Sequence, residues 1–385
     1  MALALISVIA PLGIDTYLPA FPAMAADLGV GATTIQVTLT MFMLGMAAGQ
    51  LVIGPISDGV GRRGPLIAAT LLCLVATLVC AFAPNALVLI VARFVQGFAG
   101  GGGAVLARAI LADLTTGSDT ARGMNLLMAM GSIAPILAPT IGGVLLLFTD
   151  WRGIFVFLAL TVAAMVAMAV FVAPESLPPH LRSGRREEGE GSILAWLRVK
   201  LRDRAFVAYV LAGCLGSAAM FTYISGSSFV YQEHFGLDAT QFSLAFGANA
   251  IGMTWLSLVA ARQAHRWSAR AMLIAGLTGI AAGSALVLVL ALVGAPGPVM
   301  VLAMFVTLSS MGLVHGNSTA LALMRARENA GTASALMGAL QFSMAALVSP
   351  AVGLGNAALI MPSMMVLSAV AALAAVRLAG TSAAD

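Results

Sequence analysis

Apolar residues come in long runs of one typical length along this chain. Twelve such runs fall at roughly 3–20, 35–56, 65–83, 86–111, 124–147, 152–173, 205–230, 239–261, 270–293, 298–323, 330–354 and 357–378, with short polar breaks between them. About 20 residues at about 1.5 Å of rise each cross a hydrocarbon core of about 30 Å. The pattern therefore predicts an all-α membrane protein with 12 transmembrane helices, numbered here as spans one to twelve. Composition agrees: 61% of the residues are hydrophobic, 9% are charged, and the mean hydropathy is +1.02. A soluble domain of this size cannot hide so much apolar surface.

The breaks set domain organisation and orientation. The longest runs from Pro174 to about Arg204, near the midpoint, and holds Pro178-Pro179 and the charged run Arg185 to Glu190. The expected layout is a six-helix half at 1–173, a linker at 174–204 and a second six-helix half at 205–385, the plan of many secondary carriers. If the N-terminus is cytoplasmic, 16 of the 19 Lys and Arg residues fall on the inner side, among them Arg62, Arg63, Arg122, Arg262, Arg325 and Arg327. The outer breaks then hold Arg152 with Asp27, Asp150, Glu233 and Asp238. This is the positive-inside pattern, and it predicts an inner-membrane protein with both termini in the cytoplasm. The net charge of +4 reports topology and is no sign of nucleic-acid binding. No basic region precedes the first run, so no cleavable signal is expected. A weak internal echo joins span five, with Pro135 and Pro139 before Gly142, to span eleven, with Pro350 before Gly353.

Against this background three charges stand out: Asp15 in span one, and Arg93 and Arg108 in span four. A charge centred in the bilayer costs about 3 kcal/mol on insertion scales, so such residues face a bundle interior or a wet cavity. Counted from the outer ends of their spans, Asp15 and Arg93 lie within about one helical turn of each other in depth. A carboxylate beside a cation is a candidate proton site; the alternative is a static pair holding spans one and four together. Arg108, near the inner end of span four, reads as structural or gating. His315 is the histidine that falls within a span; a titrating or ligand role and a hydrogen-bonded packing role are both open. Met41, Gln96, Phe221, Tyr223, His315 and Asn317 are candidates to line a substrate cavity, because flexible and amphipathic side chains suit varied apolar ligands. Packing is the plainer reading of the 22 methionines. Cys73, Cys80 and Cys214 read as small packing residues; the first two are about 10 Å apart along one helix, too far for a disulfide.

Between spans two and three stands Gly54-Pro55-Ile56-Ser57-Asp58-Gly59-Val60-Gly61-Arg62-Arg63-Gly64-Pro65. Gly54 permits close helix approach, Gly59 and Gly61 permit a tight turn, and Asp58 can accept from Arg62. The whole pattern resembles the signature of the major facilitator superfamily, G-x-L-a-D-r-x-G-r-r/k, with Pro55-Ile56-Ser57 and Gly59 as departures. The resemblance implies a charge relay among Asp58, Arg62 and an acid at the end of span four, where Asp113 stands, with Gly54, Gly61 and Arg63 completing a conformational switch. Arg93-Phe94-Val95-Gln96-Gly97 resembles the span-four motif of that superfamily whose arginine is tied to proton movement. Gly131 to Gly143, with Pro135, Pro139, Gly142 and Gly143, resembles its span-five antiporter motif. Leu12 to Pro22 looks like the first span of drug/proton antiporters, and with Ser225 to Val230 and Gly331 to Leu336 the chain looks most like the bicyclomycin-resistance (Bcr/CflA) subfamily.

That resemblance implies a monomeric exporter of small amphipathic compounds. Protons are its counter-ion, the proton motive force is its energy source, and Asp15 and Arg93 carry the coupling. A metabolite or sugar carrier of the same fold and a transport-inactive membrane sensor are the alternatives. The run Gly100 to Gly103 lies inside an apolar helix with no Gly-Lys-Ser/Thr after it, so it is no phosphate loop and ATP is not implicated. No paired carboxylates, metal cluster or nucleophile with its base point to an enzyme, and no bound cofactor is expected.

Overall fold

The computed structural model describes residues 2–115, 118–178, 200–326 and 330–378. Linker residues such as Arg185 and Arg186, and Arg327, lie outside them. The described residues form helices and the turns between them, in two compact units, Met1–Glu190 and Gly191–Asp385. Among the described residues, ten helices are each long and apolar enough to cross a bilayer. They begin at Ala32, Arg63, Ala86, Trp151, Arg204, Ala239, Ala269, Gly297, Leu336 and Ala357, within a few residues of the expected spans two to four, six to ten and twelve; span eleven's helix itself opens at Ala330.

Of the remaining two runs, span one differs for an identifiable reason. Span one is broken into the helices Ala2–Ser7 and Ile9–Asp15, a 3₁₀ turn at Leu18–Ala20 and a further helix Phe21–Asp27. Pro11, Pro19 and Pro22 each lack the N–H that a continuous helix would need. Span five is one helix, Ser118–Leu145, that accommodates Pro135 and Pro139.

Short polar residues start several spans. Asn85 accepts from Val88 N–H at the head of span four, Asp150 from Arg152 and Gly153 at span six, and Asp203 from Ala205 and Phe206 at span seven. Asp238 and Gln241 form a reciprocal capping box at span eight. Each cap satisfies backbone donors that the first turn leaves open.

Spans two and four, Ala32–Val60 and Ala86–Leu114, have 29 residues each. At about 44 Å they outrun the hydrocarbon core and carry Asp58 and Asp113 out to one level beyond it. They pack backbone to backbone. A Cβ at Gly45 or Gly49 would land on the carbonyl oxygen of Phe94 or Phe98, and one at Gly97 or Gly101 on that of Phe42 or Met46. This is the small-xxx-small solution to helix association in lipid. The Gly100–Gly103 run continues it, with Gly100 and Gly103 against Ile9 and Ile6 of span one and Gly102 against Ile53 of span two. Gly54, by contrast, is no site of close approach: a Cβ there would meet only Val105, at 3.9 Å. Gly59 is still on the helix, and the turn into span three falls to Gly61 alone, at φ +103°.

Candidate functional site

Three polar groupings sit in the first unit. The deepest centres on Arg93, whose side chain is fully buried at 0% exposure. Its Nη2 donates to the carbonyl of Gly13 at 2.8 Å and its Nη1 to Gln96 Oε1 at 2.6 Å. The guanidinium lies 4.3 Å from the Tyr17 ring centroid and 4.2 Å from that of Phe42. Arginine disperses its charge over a plane, so aromatic faces and carbonyls can hold it where a compact ammonium would fail. Gln96 in turn donates to Thr77 at 2.8 Å, and Tyr17 hydroxyl meets Thr38 at 3.2 Å. The network thus joins spans one, two, three and four. Gln96, expected on a substrate cavity, is spent on Arg93 and Thr77.

The expected closeness of Asp15 to Arg93 is not realised as a pair. Arg93 bonds to the carbonyl of Gly13 and lies over Tyr17. Residues 13 and 15 both lie on the helix Ile9–Asp15, about 200° apart around it, and Tyr17 follows in the turn beyond. Depth places the two charges together, and azimuth separates them. Asp15 is itself buried, at 3% exposure, and its Oδ1 has no hydrogen-bond partner. Beside it, the backbone of Thr16 fits against Gly142 of span five so closely that a Cβ on Gly142 would land on the Thr16 carbonyl oxygen. Gly143 and Pro139 are buried on the same stretch, and Pro135 is half-buried. The antiporter-type segment of span five therefore packs against span one at the residue next to Asp15.

The second grouping lies at the basic end of the spans. Arg62, 4% exposed, pairs with Asp58 at 2.7 Å and with Asp113 at 3.1 Å, and donates to Ser57 Oγ at 2.6 Å. Ser57 Oγ in turn donates a hydrogen bond to the Gly54 carbonyl at 2.6 Å. Glu175 completes the cluster: its Oε1 accepts from the backbone N–H of Arg62 at 2.8 Å and its Oε2 from that of Arg63 at 3.3 Å. A carboxylate from the end of span six thus caps the start of span three, where open N–H groups and the helix dipole favour negative charge. Arg63 also donates to Val170 O at 2.8 Å, and Ser176 to Asp113 at 3.1 Å. Ser57, Glu175 and Ser176 do not appear among the residues that motif reading selects. The available signal was the acid in Pro174-Glu175-Ser176 directly after a span, next to a proline that stops the helix.

The third grouping is at the opposite end. Asp27 accepts from Arg152 at 2.6 Å and from Trp151 Nε1 at 3.0 Å, and Arg152 reaches Ala83 O at 3.3 Å. The Arg152 and Trp151 hydrogen bonds, in that order, hold the Asp27 carboxyl below the usual carboxylate range.

The remaining candidates are dispersed. Met41 is half-buried next to Phe42 on span two. Arg108 is exposed and donates to its own helix at Ala104 O, 3.3 Å away. In the second unit, Phe221 is buried and its ring sits 6.2 Å from that of Phe342. Tyr223 accepts from Asn249 at 2.7 Å. Span ten breaks at a 3₁₀ turn, Ser310–Leu313, and His315 opens the next helical segment. Asn317 donates to the Leu313 carbonyl that the break frees, at 2.8 Å. His315 Nε2 is buried without a hydrogen-bond partner. No group of three or more metal-ligating side chains occurs among the described residues.

The chain matches the family model described as Major Facilitator Superfamily over residues 3–350. It is 34% identical over 357 residues to the MFS-type transporter YdgK of Bacillus subtilis (strain 168), covering 92% of this chain and 88% of that protein. It is 30% identical over 352 residues to a bicyclomycin resistance protein homolog of Haemophilus influenzae, covering 90% and 87%. A chloramphenicol resistance protein of Pseudomonas aeruginosa is 30% identical over 279 residues, 72% of this chain and 65% of that one. Among solved structures, the nucleoside transporter NupG superposes with a TM-score of 0.78 at 13% identity, covering 99% of this chain and 98% of that one. The partially occluded, inward-open xylose transporter XylE of E. coli superposes at 0.71 and 16% identity, covering 96% of each. At such identities these structures speak for the fold alone. The chain belongs to the major facilitator superfamily.

Proposed function

We propose that this multi-pass carrier exports small amphipathic toxic compounds in exchange for protons, using the proton motive force and no bound cofactor. It works as a monomer in the inner membrane, with the basic ends of its spans and both termini in the cytoplasm. The family makes it a membrane transporter of small molecules and not an enzyme. Export of drugs draws support from relatives whose names record bicyclomycin and chloramphenicol resistance.

The observation that carries the proton reading is the state of Asp15. Its carboxyl is buried, its Oδ1 has no partner, and Arg93, the buried cation at its depth, is bonded elsewhere. An ionised side chain at such depth is expensive unless a charge or water answers it. Proton uptake removes that cost when the carboxyl is sealed, and proton loss requires access to water. The packing of span five on the neighbouring Thr16 supports a role for it in that access.

The test is gradient-driven transport in proteoliposomes. Asp15→Asn mimics the protonated carboxyl, so substrate binding and downhill exchange persist while uphill transport on an imposed pH gradient is lost. Uphill transport retained in Asp15→Asn would sink the assignment.

A further inference from the structure

The end of the first unit opposite the basic cluster carries an apolar groove with charges beside it. Val75, Leu78, Val79 and Phe82 from the end of span three, with Pro84 and Val88 at the head of span four, line an open space of about 490 Å³. That is within the range of clefts that hold one small molecule. Its walls are exposed, Phe82 at 74%, so in a bilayer they meet lipid. Hydrocarbon by itself gives such a groove no selectivity, because lipid tails are as apolar as its walls. Any preference has to come from the polar groups at its end.

Those groups are the tie of Arg152 to Asp27. Arg152 donates through Nη2 to the Ala83 carbonyl at 3.3 Å, in the peptide that joins Ala83 to the groove residue Pro84. Its guanidinium lies 4.1 Å from the Trp151 ring centroid and donates through Nη1 to Asp27 Oδ2 at 2.6 Å. These bonds use two of its five N–H groups. Trp151 also bonds Asp27 at Oδ2, so Oδ1 is an open acceptor among the described residues. Both side chains are partly exposed, Arg152 at 33% and Asp27 at 47%. Asp150, which accepts from the Arg152 backbone N–H at 2.9 Å, adds a second acid. Two carboxylates against one guanidinium disfavour a head group of net negative charge. A quaternary ammonium brings charge but no N–H. A phosphate joined to a primary ammonium meets both demands, because arginine suits phosphate and a carboxylate accepts charge-assisted bonds.

We infer that this groove holds one chain of a phospholipid whose phosphoethanolamine head lies across Arg152 and Asp27. The phosphate takes the open N–H groups of Arg152, the ammonium donates to Asp27 Oδ1, and the chain runs past Phe82 and Val79 toward Val75. The inference requires a membrane-spanning chain and nothing of drug export or proton coupling, so it and the Asp15 assignment fail separately.

The full-length protein, purified in detergent, is offered equimolar phosphatidylethanolamine, phosphatidylcholine and phosphatidylglycerol with identical acyl chains, and the retained lipids are counted by native mass spectrometry. Phosphatidylethanolamine should be retained about threefold over either of the others, the worth of one partly exposed charge pair. Asp27→Asn should erase the preference over phosphatidylcholine and raise the retention of phosphatidylglycerol. Val79→Trp, on an exposed face where a larger side chain is tolerated, should fill the groove and lower retention of phosphatidylethanolamine with the charges untouched. Equal retention of the ethanolamine and choline lipids, a preference for phosphatidylglycerol, or an ethanolamine preference that survives Asp27→Asn or Val79→Trp would overturn the inference.

Discussion

The two units answer the same demand, polar groups inside a hydrocarbon, with different chemistry. The first buries Asp15, Arg62 and Arg93, and its ends are tied by the ion pairs of Arg62 and Arg152. Among the described residues of the second unit, the buried polar side chains are hydroxyls and the carboxamide of Asn249. Helix continuity runs the other way. In the first unit only span one is broken among the described residues, whereas the second breaks span ten at Ser310–Leu313 and ends spans seven and eleven in a π turn, Val230–His234, and a 3₁₀ turn, Ser349–Leu354. The freed carbonyls there are met by neutral donors: Ser225 hydroxyl bonds Ser349 O at 2.9 Å, as Asn317 bonds Leu313 O. Charge needs a stiff, well-bonded setting, because a buried ion that loses its partners is expensive. Neutral hydrogen bonds cost little to exchange, so the unit built from them can carry bends.

If the first unit depends on stiffness, overfilling its glycine seam should be the most damaging change in the molecule. Gly97→Leu drives a side chain into the Phe42 carbonyl, and backbone on both sides cannot give way. Overpacking in forgiving cores already costs about 1–3 kcal/mol; here the expected outcome is a fall of about tenfold or more in protein recovered monodisperse after detergent extraction. Gly338→Leu in span eleven is the counterpart, since a Cβ there meets nothing within 4 Å. Equal recovery of the two variants would break the contrast between the units.

That seam also shows what the sequence could and could not say. Hydropathy located the spans because lipid demands one length and one polarity everywhere. Gly45-x-x-x-Gly49 and Gly97-x-x-x-Gly101 have the spacing of a packing stripe, but sequence reading did not select them, and nothing along the chain says which stripe meets which. The relay of Asp58, Arg62 and Asp113 was legible because its members sit at helix ends, where position along the chain nearly determines position in space. Arg93 was legible in depth and not in direction: span one is broken at Val8 and turns 3₁₀ at Leu18, so helical phase is not carried along it. Glu175 was missed because its partners are backbone N–H groups more than a hundred residues away, which leave no side-chain signature.

A change at the basic end should be smaller and should act on rate. Asp58→Asn removes one of the two carboxylates on Arg62 but leaves Asp113, Ser57 and the Glu175 cap in place. A charge-assisted bond is worth about 1.5–3 kcal/mol; Asp58 is 38% exposed and screened, so the low end applies, and a bias of that order between states should lower turnover by about tenfold. Because the cluster is at the end of the spans, the ranking of substrates should stay as it was. Transport of several compounds by matched amounts of protein decides it; a reordered ranking would place Asp58 in substrate recognition and remove the division of labour between the units.

The smallest effect belongs to the opposite end, and its sign can be worked out. Asp27 is held below the usual carboxylate range by Arg152 first and Trp151 second. A depressed value in the folded state means that its stabilisation is fully present above the unfolded carboxylate value, near 3.9, and disappears as pH falls through the folded one. Between pH 8 and pH 5 this tie contributes a constant amount; below about pH 4 it fades. The second unit has a comparable strap in Arg270, which donates to the carbonyl of Val376 at 3.2 Å, a group that does not titrate. Asp27→Asn keeps an acceptor for Trp151 and loses the charge. The expected result is a small drop in Tm at pH 7 that shrinks as the pH falls below the unfolded carboxylate value, and shrinks in high salt, since the pair is exposed and screened. A drop that persists unchanged at pH 3 would mean that Asp27 acts through packing alone, and that ionic ties at this end do not set the first unit apart from the second.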